Sequence, residues 1–271
     1  EIPTDDDLKM NVNALASQIK RDRAEGFAPF MVVATAGTTN AGVIDPIEEI
    51  ANVADVEKLW LHVDAAWGGA VAIVAEMRSL LKGIERADSI TFDAHKWLSV
   101  PMGAGIYLTR HREILERTCA IYTDYMPRDA AGLEIADPYA HSMQWSRRFT
   151  GLKVFLSLAV AGWEGYAEAI RHQTAMGKLL REELTAAKWK VLNKTPLPVV
   201  CFVDEEKGEE NSAAYLEAIV RACISSGKTW ISTTRLREGV TVLRACITNY
   251  RTEREDVQAL VNALNEARRK I

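Results

Sequence analysis

The chain has only four cysteines, and they lie far apart: Cys119, Cys201, Cys223 and Cys246. They form neither a CxxC pair nor the ligand spacing of a zinc ribbon, so dithiol redox chemistry and a metal site both lack support. Cys201 and Cys246 fall in apolar strand-like runs, where a thiol acts as a small hydrophobe. No apolar stretch of about 18 residues is present to span a bilayer. No signal-peptide pattern is read at the start, so a reducing cytoplasm is the expected location. Neither charge sign dominates: the formal net charge is −4, and no basic stripe is interleaved with aromatics. That argues against nucleic acid as a partner. The basic trio Arg268, Arg269, Lys270 closes a final helix pattern, where cations suit the negative end of the helix dipole. Internal repeats and low-complexity tracts are absent too. What remains is 271 residues, 48% apolar and 26% charged, the composition of a soluble α/β chain with one large or two modest domains.

The periodicity orders these residues into alternating elements. Val12, Leu15 and Ile19 mark a helix over 12–24 that Gly26 ends. PFMVVATA (29–36) is a continuous apolar run, the pattern of a strand covered on both faces. AGTTNAG (36–42) is a loop, and Asp45-Pro46 opens a helix to about Glu57 with Asp45 as N-cap. WLHVDAA (60–66) is a second buried strand, so strand, helix and strand form a βαβ unit that favours a parallel sheet. A helix near 75–83 leads to SITFDA (89–94), and GAGIYLT (103–109) reads as one more strand. A helix between Arg110 and Tyr125 precedes a weakly periodic stretch to Trp145, of a length common in binding segments. A long helical pattern from Arg148 to Ala187, interrupted near Gly162 and Gly165, connects to strands WKVLN and LPVVCFV. A helix near 211–226, strands TWIST and TVLRACI, and a helix from about Thr252 complete the chain. We divide it into a large parallel-sheet domain over 1–149 and a connector helix with a small α+β domain over 150–271.

Chemistry concentrates between His62 and Lys96. Asp64 and Lys96 each fall where a buried strand meets a loop. A carboxylate and an amine so placed suit pyridoxal 5'-phosphate, whose aldehyde a lysine holds as a Schiff base while an acid keeps its pyridine nitrogen protonated. Each residue has a plainer reading. An Asp at a strand end commonly braces a loop, and a lysine at a sheet edge commonly snorkels. Small residues after the acid, Ala65, Ala66, Gly68 and Gly69, leave space for a flat ring. AGTTNAG could cradle a phosphate, although it lacks the GxGxxG and GxxxxGK patterns.

The runs ATAGTTNAGVIDP, LWLHVDAAWGG and ADSITFDAHKW, with MQWSRRFTGLKVF and TVLRACITNYRT further on, together resemble the group II pyridoxal-phosphate-dependent amino-acid decarboxylases. Aromatic L-amino acid, glutamate and diaminobutyrate decarboxylases belong to that group. The resemblance implies an α/β fold of PLP-dependent transferase fold type I, with an incomplete large domain followed by the small one. It implies that Lys96 bears the Schiff base and Asp64 pairs with the pyridinium nitrogen. Ala66 would pack on one face of the ring, Thr39 would approach the ring oxygen, and Asp93 would lie beside the phosphate. His95 would sit near the phosphate or the substrate carboxylate. Tyr125 would donate the proton that replaces carbon dioxide, and Arg244 would meet a substrate carboxylate. Arg244 also has the plainer reading of a strand-edge surface arginine.

The expected activity is decarboxylation of an L-amino acid to an amine. Carbon–carbon cleavage, transamination and a non-catalytic scaffold subunit stand as alternatives. Members of the group carry a dimerisation segment and the first half of the large domain ahead of the point where this chain begins. An N-terminal region, in the same or a separate polypeptide, is therefore expected to complete the site, in a homodimer of complete protomers.

Overall fold

Three of the apolar runs become neighbouring parallel strands in the computed structural model, which describes residues 1–121 and 138–271. β1 (Met31–Thr35), β2 (Trp60–Asp64) and β3 (Ser89–Asp93) pair in parallel. β4 (Gly105–Thr109) joins them antiparallel to β3, giving the order β1-β2-β3-β4. The reversal has a simple cause: the segment between β3 and β4 is shorter than a parallel crossover, which takes a dozen residues or more.

Alternation along the strands separates the two faces. Val32, Ala34, Leu61 and Val63 point into the core against Ile50, Ala51 and Ala54 of α2 (Ile47–Glu57). The opposite face carries His62, Asp64, Ser89, Thr91 and Asp93, together with Met31 and Val33, each 43% exposed. β1 is thus covered on one face only among the described residues, where its apolar run predicts two.

Asp45 is the clearest departure from the local pattern. Pro46, with no side-chain cap, occupies the N-cap of α2. The Asp45 carboxylate is buried and accepts two backbone N–H groups instead, from Met10 at 2.8 Å and Thr35 at 2.8 Å. It thereby ties the end of β1 to the segment leading into α1 (Val12–Ala24). Burial raises its pKa despite those two bonds. The helix expected near 75–83 is a short 3₁₀ stretch, Ala75–Leu81, preceded by another over Gly68–Ile73. Of the helix expected after Arg110, the described part is α3 (Ile114–Cys119).

α4 (Thr150–Ala186) follows, broken at Gly162, whose φ of 69° and ψ of 171° are non-helical. Beyond it β5 (Trp189–Val191), β6 (Val199–Asp204), β7 (Ser232–Arg235) and β8 (Thr241–Cys246) form an antiparallel sheet in the order β5-β6-β8-β7. α5 (Ala213–Ser225) and α6 (Arg254–Lys270) pack on it around Phe202, Leu216, Ile219 and Leu264.

Arg268 does more than complement a helix end. Its Nε lies 3.0 Å from Oδ2 of the fully buried Asp204, an ion pair whose N–H is not aligned as a hydrogen bond. Its guanidinium sits 4.0 Å over the Trp189 ring and donates to the carbonyls of Ala187 and Lys188. Tyr215 donates its hydroxyl to the same Asp204 oxygen at 2.6 Å. One carboxylate therefore fastens β6 to α5 and α6. Such a network is costly to break, because the charge left behind would be buried and unpaired.

Candidate active site

Ligands of open α/β sheets bind outside the carboxyl ends of the strands, and the candidate residues lie at that edge. β2 ends in Asp64 and β3 in Asp93, which share the polar face of the sheet because Asp64 pairs with Thr91 in register. Asp64 Oδ1 accepts the Ala66 N–H at 3.1 Å, and Oδ2 has no partner among the described residues. Lys96 follows three residues after β3. Its Nζ lies 3.0 Å from Asp93 Oδ2, and its side chain is 39% exposed. His95 accepts the Ala104 N–H through Nδ1 at 3.3 Å, which places the proton of a neutral ring on Nε2. Tyr125 lies outside the described residues.

The small residues after Asp64 serve the protein's own backbone. Gly68 donates to Ala36 O at 3.1 Å, and a Cβ there would stand 2.3 Å from that oxygen. Gly37 has φ 92°, and a Cβ on it would meet Gly68 Cα at 2.9 Å. Two glycines thus let the loop after β1 touch the loop after β2. The methyl of Ala66 is already largely buried.

AGTTNAG is organised through its carbonyls rather than as an anion cradle. The amides of Gly37, Thr38, Gly42 and Val43 are spent within the turn. Four consecutive carbonyls, in contrast, accept from side chains between Asn193 and Arg244. Arg244 Nε donates to Thr39 O at 2.9 Å and the Cys201 thiol to Asn40 O at 3.1 Å. Asn193 Nδ2 donates to Ala41 O at 2.6 Å and Thr195 Oγ1 to Gly42 O at 2.6 Å. This clamp escapes sequence reasoning, because its donors are scattered from 193 to 244 and only the fold aligns them. Arg244 is accordingly neither a free surface arginine nor an unengaged carboxylate receptor. It holds the backbone of Thr39, whose side chain remains exposed.

Cys201 participates as a neutral thiol. Burial pushes its pKa from 9.0 up to about 11, with Arg244 and Arg181 opposing the rise. A value raised by folding makes the thiol's contribution complete below about pH 9 and progressively lost as pH climbs towards 11. Cys201→Ala should therefore lower the melting temperature at pH 8 and flatten the decline between pH 9 and 11. The pH-dependent part should be on the order of 2 kcal/mol. Parallel melting curves for the two proteins across that range would overturn the assignment.

The described residues contain no group of three or more metal-ligating side chains, and none of their helices is long and apolar enough to cross a membrane. A carboxylate oxygen with no partner among the described residues and an exposed lysine at adjacent strand ends suit a pyridine nitrogen and an aldehyde. The residues present therefore fit the ring nitrogen and the aldehyde of pyridoxal phosphate, and the fold that carries them is that of the fold type I group. Comparison with known proteins agrees. A profile described as "Pyridoxal-dependent decarboxylase conserved domain" matches residues 1–204, and the chain belongs to that family. It is 35% identical to an aromatic-L-amino-acid decarboxylase of Bacillus atrophaeus over 94% of this chain and 54% of that protein. It is 33% identical to the L-2,4-diaminobutyrate decarboxylase of Rhizobium meliloti over its whole length and 54% of the relative. The crystal structure of Oryza sativa TDC with PLP and tryptamine superimposes with a TM-score of 0.91 at 27% identity, covering 100% of this chain and 57% of that one. The chain spans about half the length of the curated relatives it matches.

Proposed function

We propose that residues 1–271 belong to a pyridoxal-phosphate-dependent decarboxylase that converts an L-amino acid to its amine and carbon dioxide. The observation that carries this reading is Asp64 Oδ2, unpartnered among the described residues, and the exposed Lys96 side chain at neighbouring strand ends on one sheet. When bound, the cofactor supplies a protonated pyridine that draws electrons from the bond breaking at the substrate Cα. Asp64 would keep a proton on the ring nitrogen through Oδ2. Lys96 would hold the cofactor aldehyde through Nζ, with Asp93 orienting the ammonium beforehand. Ala66 and Thr39 would bound the ring, and His95 would offer its Nε2 proton to a phosphate or carboxylate oxygen. Arg244 keeps Thr39 in place and has terminal nitrogens for a substrate carboxylate. Tyr125 is the proton donor to Cα.

The proposed partners are the amino-acid substrate, an additional N-terminal region that completes the site, and a second complete protomer. Three features support them. The relatives are about twice as long. β1 and β4 are the outer strands of a four-stranded sheet with Met31 and Val33 uncovered. The first half of α4 exposes Phe155, Val160 and Trp163, and exposed apolar patches mark interaction sites.

One finding favours a second reading. The 3,4-dihydroxyphenylacetaldehyde synthase of Aedes aegypti is 33% identical over 81% of this chain and 42% of its own length. Incubating the full-length, cofactor-loaded protein with aromatic, acidic and diamino acids decides between them. Amine with stoichiometric carbon dioxide is expected. Aldehyde as the main product would favour the second reading, and no turnover of any amino acid would favour a non-catalytic subunit.

A further inference from the structure

Lys96 is exposed, and among the described residues its amine pairs with Asp93 alone, so its precision must come from the backbone that carries it. That backbone is gripped from the next residue. Trp97 is buried and stacks on Trp67, ring centroids 4.5 Å apart and planes 5° from parallel. Trp67 is the neighbour of Ala66 in the loop after Asp64. The stack therefore ties the lysine's loop to the aspartate's. Gln173 on the second half of α4, 1% exposed, then locks the indole. Its amide oxygen accepts Trp97 Nε1–H at 2.8 Å, and its amide nitrogen donates to Thr248 O at 2.5 Å. Thr248 lies just past the end of β8, four residues after Arg244.

The partners fix which way the amide points. An indole N–H only donates and a backbone carbonyl only accepts, so oxygen must face Trp97 and nitrogen must face Thr248. Few side chains can satisfy both. Leucine satisfies neither and strands the indole N–H in the core. Glutamate can accept from Trp97 but has no donor for Thr248 O. Neutral histidine, with one donor and one acceptor, can satisfy both.

We propose that Gln173 is a positioning residue for Lys96, setting the attitude of the lysine's loop against Asp64 from the small-domain side. The proposal rests on the reading that Lys96 holds the cofactor aldehyde. A displacement of the anchoring loop by a fraction of an ångström is enough to slow a reaction whose atoms must be aligned.

The test uses the full-length, cofactor-loaded protein and compares wild type with Gln173→Leu, Gln173→His, Trp97→Phe and the double variant Gln173→Leu/Trp97→Phe. The readouts are the pH midpoint of the visible absorbance of the Lys96–cofactor linkage, kcat and KM separately, and melting temperature without cofactor. Gln173→Leu should shift the midpoint by about half a pH unit or more and lower kcat about tenfold, with KM within about twofold. Trp97→Phe should reproduce the shift, and the double variant should add little to it, because one hydrogen bond is being removed twice. Gln173→His should restore both midpoint and kcat. A Gln173→Leu protein that melts earlier yet titrates and turns over like wild type would overturn the proposal, leaving a packing role. Should that variant not fold, the same normal behaviour in Trp97→Phe would overturn it equally. Borohydride reduction of the wild type separates this from the underlying reading: no label on Lys96 removes that reading and the proposal together, whereas a labelled Lys96 with an unmoved midpoint removes the proposal alone.

Discussion

The full-length protein carrying Lys96→Ala is expected to lose at least about a thousandfold in turnover, roughly 4 kcal/mol of barrier. The loss follows from what the amine does rather than from what it holds together. An amine tethered in the site reacts with the cofactor aldehyde at an effective concentration no free amine reaches, and the variant forfeits that tether. Stability should hardly move. Lys96 is exposed and its contact with Asp93 is a half-exposed ion pair, of a kind worth about 0–1 kcal/mol. Borohydride reduction with peptide mapping should place a phosphopyridoxyl group on Lys96 in the wild type and nowhere in the variant. A label on another lysine with Lys96 unmodified, or near-normal turnover by Lys96→Ala, would sink the assignment.

That contrast between an exposed candidate group and its buried supports explains what was legible in the sequence. The strands ending in Asp64 and Asp93 show themselves because β-branched runs and flanking turn residues are local signals. The kink in α4 is announced by Gly162. The supports are harder to see. Asp45 carries the local signature of an N-cap before Pro46, yet two distant amides, Met10 and Thr35, outbid the helix for its carboxylate. Arg268 looks like a helix-end cation, and only the docking of α6 reveals Asp204 and Trp189 beneath it. The four donors that clamp residues 39–42 and the Gln173 bridge all join residues more than 70 positions apart, beyond the reach of any periodicity. Sequence pattern shows which residues could react. The fold shows which ones keep them in register.

Asp64→Asn is expected to keep the fold and lose most of the chemistry. The asparagine oxygen can still accept the Ala66 N–H that Asp64 Oδ1 accepts at 3.1 Å, so the loop after β2 has no reason to open. The change falls on Oδ2, the oxygen without a partner among the described residues and the one proposed to face the ring nitrogen. An amide nitrogen there offers a donor where a negative acceptor is needed, and a pyridine facing it stays neutral and draws electrons poorly. Removing one partner of a buried charge pair typically costs about 3–5 kcal/mol, so kcat should fall by roughly a hundredfold to a thousandfold or more. Cofactor should still attach to Lys96, because Asp93 rather than Asp64 holds its amine. A cofactor analogue methylated on the ring nitrogen carries a permanent positive charge and needs no acid to maintain it. Loaded into Asp64→Asn, it should recover part of the lost turnover. Near-normal kcat in Asp64→Asn with the natural cofactor would show that Asp64 only braces its loop, and a folded but inactive variant that the methylated analogue leaves unchanged would place its importance elsewhere than the ring charge.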